Sequence, residues 1–315
     1  MAVVFFHLPR TGGSTVWHTS SHLAAQHGVP VTDLYHKSQV LRGSPHHPLD
    51  TLRDIKASLG GAPPAGLIHH HSFQNLTAEL PPDEHHYATI LRDPVDRFVS
   101  EMFHLRGLMR QDKDLRAEII ASIAPEGAEF LAALLDESAP PDKLVLIAAE
   151  QPYYQNYYLN AFWQFLFGDP AGPQDPPLMP EWVIPALAYA VRSRFCLIGR
   201  FPDMHGMVRQ MMSLAGLEDT ANFQLVRVAN GSAIPALLPE TLARLRALHR
   251  MDYLFFEEVT RGTPRPAAAR WETLNADLAT ARGLSSALAA QMKEMRESRS
   301  WRLTRPLRAV RRRLG

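Results

Sequence analysis

The feature that most constrains this chain is a short run at its start. Residues 3–8, Val-Val-Phe-Phe-His-Leu, form a nearly unbroken apolar stretch that stops at Pro9. Residues 14–26 then carry helix-compatible spacing, with Ser14 or Thr15 at hand near the N-terminus. This reads as a strand, a glycine turn and a helix. A second such unit follows: Tyr87-Ala-Thr-Ile-Leu91 is a buried strand by composition, Asp93-Pro94 a helix start with proline in the first turn, and residues 95–108 the helix. Between them, Gly66-Leu-Ile-His69 is another short strand. Strands alternating with helices predict an α/β fold with a mainly parallel central sheet and helices on its faces.

Of the 315 residues, 46% are hydrophobic, enough for a substantial core. The opening Met-Ala-Val-Val-Phe-Phe lacks a basic segment ahead of its apolar run, so it fits a buried strand better than a signal peptide. No stretch offers the roughly 18–20 uninterrupted apolar residues of a membrane span. A cytoplasmic protein is the expectation. The single cysteine, Cys196, lies in the strand-like Phe195-Cys-Leu-Ile-Gly199, which predicts a small buried side chain rather than a nucleophile.

The charge is uneven. Residues 293–315 hold nine Lys or Arg against Glu294 and Glu297, so this tail carries +7 and, with +1 overall, the rest carries −6. The body therefore has no global attraction to nucleic acid, whereas the tail can meet an acidic membrane surface, an acidic glycan or a partner protein.

Residues 111–190 read as a mostly helical insertion over the sheet, interrupted by proline-rich stretches. Its aromatic segment, residues 153–167, fits helix core better than a sugar-binding face. A strand at 195–198, a helix at 203–215 ending at Gly216, and one or two helices over 239–260 complete a domain expected to span 1–265. Beyond it, 266–299 has near-heptad leucines that suit an amphipathic or coiled-coil helix and self-association over 271–299, and 300–315 is the basic tail.

The loop Pro9-Arg-Thr-Gly-Gly-Ser-Thr15 has the chemistry of an anion cradle. A loop between a strand and a helix presents unpaired N–H groups, and Gly12 and Gly13 let backbone approach closely. Arg10 adds a fixed charge, and Thr11, Ser14 and Thr15 add hydroxyls. The loop has neither the first glycine nor the lysine of a Walker A motif, which disfavours an ATP or GTP hydrolase. A plain Gly-Gly turn remains the alternative. In Ile90-Leu-Arg92-Asp-Pro-Val-Asp-Arg97-Phe-Val-Ser100 an arginine leaves a strand and a serine follows on the next helix, an arrangement that holds one phosphate if Arg92 and Ser100 meet. The alternative makes Arg92 and Asp93 a helix-end ion pair and Ser100 a packing residue. For Asp93 and Arg97, four apart on one helix face, a structural role is the better reading.

These two segments resemble those of the sulfotransferases that use 3′-phosphoadenosine 5′-phosphosulfate (PAPS), in the branch of the heparan-sulfate 2-O-sulfotransferases and bacterial relatives. Phe5-Phe-His-Leu-Pro-Arg-Thr-Gly-Gly-Ser-Thr15 is similar to that family's 5′-phosphosulfate loop, and Thr89 to Ser100 to its 3′-phosphate motif. Weaker similarity runs through Leu197-Ile-Gly-Arg-Phe201 and Arg227-Val-Ala-Asn230. The resemblance implies a P-loop-like three-layer sandwich. It implies that PAPS, and the product 3′,5′-bisphosphate (PAP), bind through Arg10, Thr11, Gly12, Gly13, Ser14, Thr15, Arg92 and Ser100, with no metal. The family usually carries lysine where this chain has Arg10; its tyrosylprotein branch is similar to this chain in having arginine.

For the base, His69-His70-His71 leaves the Gly66 strand, and the family's spacing to a proline, here Pro81, puts its catalytic histidine at His71. Neutral imidazole suits the task because its pKa lies near operating pH. His69 as base, a structural role, or metal binding by His69 and His71 on one strand face stay open. His7 reads as a residue packing the motif, and His46-His47 and His85-His86 as loop histidines. The implied activity is sulfuryl transfer to an acceptor hydroxyl. The short Ser300-Trp-Arg-Leu-Thr-Arg-Pro-Leu-Arg308 is similar to tails of bacterial glycosyltransferases, which tilts the acceptor toward a glycan. A P-loop-like kinase and a non-catalytic nucleotide-binding scaffold are the rival readings.

Overall fold

The computed structural model describes residues 1–34, 48–61, 65–70, 76–77, 79–111, 127–136, 138–151, 154–167, 181–217, 222–226 and 235–261. Five strands and ten helices occur among them: β1 (Ala2–Phe6), α1 (Gly13–Gln26), β2 (Val31–Asp33), α2 (Pro48–Ser58), β3 (Gly66–His70), β4 (His86–Leu91), α3 (Pro94–Gln111), α4 (Ala128–Leu135), α5 (Pro141–Ala149), α6 (Tyr157–Phe167), α7 (Val183–Arg194), β5 (Phe195–Arg200), α8 (Met204–Leu214), α9 (Pro239–Leu248) and α10 (Arg250–Thr260).

The strands form one sheet in the order β2-β3-β1-β4-β5, and each neighbouring pair is parallel. Both faces are covered at the centre of the sheet, which is why β1, β3 and β4 are buried on both sides. In β1, Ala2, Val4 and Phe6 join one core with Tyr87, Phe195 and the helices α6, α7 and α10. Val3 and Phe5 point the other way, into a core with α1 and α8. A third apolar cluster lies among α3, α4, α5 and α9. The expected α/β architecture is thus present.

β1 sits between β3 and β4, so the segments leaving all three strands start side by side. In open parallel sheets, ligands bind in the crevice outside the carboxyl ends of strands at the point where strand order reverses. Here the chain runs from β1 out to β2, returns to β3, and crosses to β4 on the far side of β1.

The aromatic segment is core, as its composition suggested. In α6, Tyr157, Tyr158, Phe162, Trp163 and Phe165 are all buried, and Phe165 packs 4.6 Å from Phe6 and 5.3 Å from Phe195, ring centre to ring centre.

Three expectations need correction. Cys196 is exposed rather than buried: it lies on the edge strand β5, where its thiol donates to the Tyr87 carbonyl at 3.3 Å. Partial burial pushes that thiol up, away from nucleophilic character. His86 opens β4 and is not a loop residue, while His85 is buried with its Nδ1 accepting from the Ala2 N–H at 3.3 Å. Arg97 has the structural role expected of it, but through Glu101 and not through the Asp93 side chain. It is buried, bridges to Glu101 one turn on, and lies over the Tyr157 ring at 3.6 Å.

Residues 262–315, with the expected coiled-coil segment and basic tail, lie outside the described residues, as do Arg227 to Asn230, His46, His47 and parts of the expected insertion. No helix among the described residues is long and apolar enough to cross a membrane.

Candidate functional site

The loop after β1 enters α1 through Gly12, whose φ of 88° lies in the left-handed region. No side chain caps α1, and its first turn has no acidic residue. The N–H groups at the start of α1, from Gly13 onward, are therefore directed out of the helix end with the positive end of its dipole behind them. Gly13 is required by packing, and Gly12 by its left-handed φ, with little room beside it. A Cβ on Gly12 would lie 3.0 Å from Phe201 and 3.1 Å from the Met204 sulfur, and one on Gly13 would lie 2.0 Å from the His7 ring. Thr11 is fully buried and its hydroxyl donates to the Leu8 carbonyl at 2.8 Å. That proton closes the turn, so what Thr11 offers an anion is its backbone. Ser14 and Thr15 stand half-buried in the first turn.

Arg10 and Ser100, ninety residues apart, are joined here: the Arg10 Nε–H donates to the Ser100 hydroxyl at 3.2 Å. Arg10 adopts φ 65°, a conformation side-chain-bearing residues seldom take. Burial, and after it the charge of nearby Arg92, holds its guanidinium below the ordinary arginine range, against the opposing pull of Glu101.

The backbone of Arg92 is clamped from a distance. Its N–H donates to the Tyr158 hydroxyl at 3.1 Å, and that hydroxyl donates to its carbonyl at 2.7 Å. Its guanidinium lies 4.7 Å over the Phe201 ring, and the Nε is buried with no hydrogen-bond partner among the described residues. A buried donor left unmade costs about 1–3 kcal/mol, which a bound anion would recover. Asp93 caps α3, accepting from the N–H groups of Val95 and Asp96 at 3.0 Å, and takes the Tyr253 hydroxyl at 2.8 Å. It is a cap and not an ion-pair partner of Arg92 or Arg97.

Phe201 was not singled out as a site residue by sequence, yet it lies against both Gly12 and Arg92 and so links the loop to the β4 turn. Tyr158 was equally hidden, one aromatic among many in its helix. The signal that could have found them was weak: Phe201 sits in a segment of slight family similarity, and Tyr158 has none.

His71 lies outside the described residues. Its neighbour His70 ends β3 beside Phe6, fully buried. His69 is also buried. Its Nδ1 is 3.0 Å from the Asp33 carboxylate and its Nε2 3.0 Å from the Nδ1 of His7. Burial pushes the His69 pKa down, against the Asp33 hydrogen bond and charge. A base facing substrate is a poor description of a ring so engaged. Among the described residues, no three His, Cys, Asp or Glu side chains form a group that could hold a metal ion.

The arrangement can hold a polyanion: the uncapped N–H groups of α1 and the bonded Arg10 and Ser100 lie on the segments that leave β1 and β4, and Arg92 is tied to Gly12 through Phe201. No family model and no curated protein matches this chain.

Proposed function

We propose that this chain is a PAPS-dependent sulfotransferase with a P-loop-like site. The observation that carries the reading is the hydrogen bond of Arg10 to Ser100, because it joins two sequence segments that separately look like phosphate motifs. A nucleotide with phosphates at both ends of its ribose is the ligand for which two such segments are needed. The first-turn N–H groups of α1 with Arg10 take the 5′-phosphosulfate, and Arg92 with Ser100 takes the 3′-phosphate.

In the reaction, an acceptor hydroxyl oxygen attacks sulfur in line. The bond from sulfur to the bridging phosphate oxygen breaks, a new sulfur–oxygen bond forms, and the hydroxyl proton passes to a base, assigned by resemblance to His71. PAP leaves. Arg10 and the loop amides stabilise charge on the sulfate and the leaving oxygen, the role fixed donors play in phosphoryl transfer. The acceptor we assign to the glycan class, self-association to residues 271–299, and contact with a membrane surface or partner to the basic tail at 300–315.

The test is transfer of radiolabelled sulfate from PAPS to a panel of sugars, lipid-linked glycans and phenols in the presence of a chelator. Transfer by the wild-type chain, abolished in Arg10→Ala and in His71→Ala with unfolding midpoints retained, is expected. Magnesium-dependent turnover of ATP would establish a kinase instead. PAP binding without transfer to any acceptor would point to a scaffold.

A further inference from the structure

Three polar side chains cross the sheet behind the loop, and the mechanism above uses none of them. Asp33 ends β2, His69 lies opposite it in β3, and Phe5 of β1 lies opposite His69. His7, two residues beyond Phe5, continues the same face, and its N–H donates to the His70 carbonyl at 2.8 Å. The face is the one that α1 covers: Trp17 stacks on the His69 ring at 4.5 Å with the planes 12° apart. Both histidines are buried, while the Asp33 side chain is 44% exposed.

The hydrogen bonds have one consistent direction. A carboxylate only accepts, so His69 donates to Asp33 through Nδ1–H. In a neutral ring, Nε2 then carries the lone pair and accepts from the Nδ1–H of His7. The opposite ring edge of His7, Cδ2 and Nε2, is the edge that occupies the side-chain space of Gly13: a Cβ there would lie 2.0 Å from one atom and 2.5 Å from the other. Burial favours the neutral form of His69. The other ionisable group acting on His69 is His18, from the α1 side.

We propose that Asp33, His69 and His7 form a hydrogen-bonded array that fixes both imidazoles as Nδ1–H tautomers and makes His7 the positioning residue on which Gly13 and the first turn of α1 rest. The array sets where the loop amides stand; it does not touch substrate. Only the choice of PAP as ligand below rests on the sulfotransferase reading.

Because Asp33 is half-exposed, it can be changed without disturbing the core. The full chain is labelled with ¹⁵N in its histidine rings, and long-range proton–nitrogen spectra are recorded at neutral pH for the wild type, Asp33→Ala and Asp33→Asn. In the wild type, His7 and His69 show a protonated Nδ1 and an unprotonated Nε2. In Asp33→Ala the His69 pattern is lost. His7 changes with it, since a proton on His69 Nε2 must be received by His7 Nδ1. Backbone amide resonances of Gly12 and Gly13 move as well. Asp33→Asn, whose amide oxygen still accepts, keeps the wild-type pattern. PAP affinity falls about fivefold in Asp33→Ala, the worth of roughly one hydrogen bond, and stays near wild type in Asp33→Asn. Unchanged ring patterns and loop amides in Asp33→Ala, or a protonated Nε2 on His7 in the wild type, overturn the proposal. If the wild type binds no PAP, the nucleotide reading falls, and the ring patterns with the loop amides decide the array by themselves.

Discussion

Arg10 is a side-chain-bearing residue in a conformation that glycine adopts freely, and such backbone strain costs about 1–3 kcal/mol. The bond to Ser100 returns about 1 kcal/mol of it. Replacing Arg10 by glycine removes the strain and the hydrogen bond together, so folding should gain or break even while the anion site loses its central charge. For Arg10→Gly we expect a thermal midpoint at or above that of the wild type and no measurable PAP binding by calorimetry; a lower midpoint with binding retained would contradict this account. Gly13 is the opposite case. Its φ is ordinary, and what it lacks is room, because the His7 ring stands where a methyl group would go. Gly13→Ala must push that ring or the first turn aside, which in a packed core costs about 1–3 kcal/mol. Urea unfolding reads that cost, and a variant as stable as the wild type would show that the ring yields freely.

At the scale of elements, the helix that matters most to the site is one that never touches it with a charge. α6 is an aromatic core helix, yet its Tyr158 hydroxyl satisfies both backbone groups of Arg92, and Asp252 of α10 in turn accepts the N–H groups of Tyr158 at 2.9 Å and Leu159 at 3.3 Å. Burial raises the Tyr158 phenol well above its usual range, so it stays a donor. Tyr158→Phe leaves a part-buried N–H and carbonyl unmet, a loss of about 1 kcal/mol in urea unfolding, with PAP binding weakened because Arg92 is no longer held; unaltered stability would show that the two backbone groups find other partners. The strands β1, β3 and β4 were legible because each is a largely buried run with an apolar stretch, and β5 because Phe195 and Leu197 alternate inward in an apolar segment. β2 was not, since its three residues lie at the sheet edge, two of them exposed, and give no hydrophobic signal. α2 was missed for a related reason: Leu52 is its one described fully buried apolar side chain, too sparse a pattern to set a period.

Across the whole molecule, the parts of the site carried by one segment were readable and the pairings between segments were not. Gly12, Gly13 and the start of α1 follow from local spacing. The meetings of Arg10 with Ser100, Tyr158 with Arg92, and Asp33 with His69 and His7 depend on strand order, which no local pattern encodes. The same long-range burial of histidines sets how the protein responds to acid. Burial lowers the pKa of His69, against Asp33, and that of His85, against Glu84. Unfolded, each would titrate near 6.5, so as pH falls the unfolded chain takes up protons before the folded one does. Stability therefore is complete above about pH 6.5 and is lost as pH falls from there toward the depressed folded values. Carboxylates held low by hydrogen bonds, Asp136 by Ser138 and Asp142 by Thr241, act in a separate window below the ordinary carboxyl range. Between pH 7.5 and 5 the histidines should thus dominate. Urea midpoints measured across that interval are expected to fall steadily below about pH 6.5, and to fall less in His85→Gln, whose side-chain oxygen can still accept from the Ala2 N–H. A midpoint that is flat or rises on acidification would mean that these rings take up protons in the folded state as easily as in the unfolded chain.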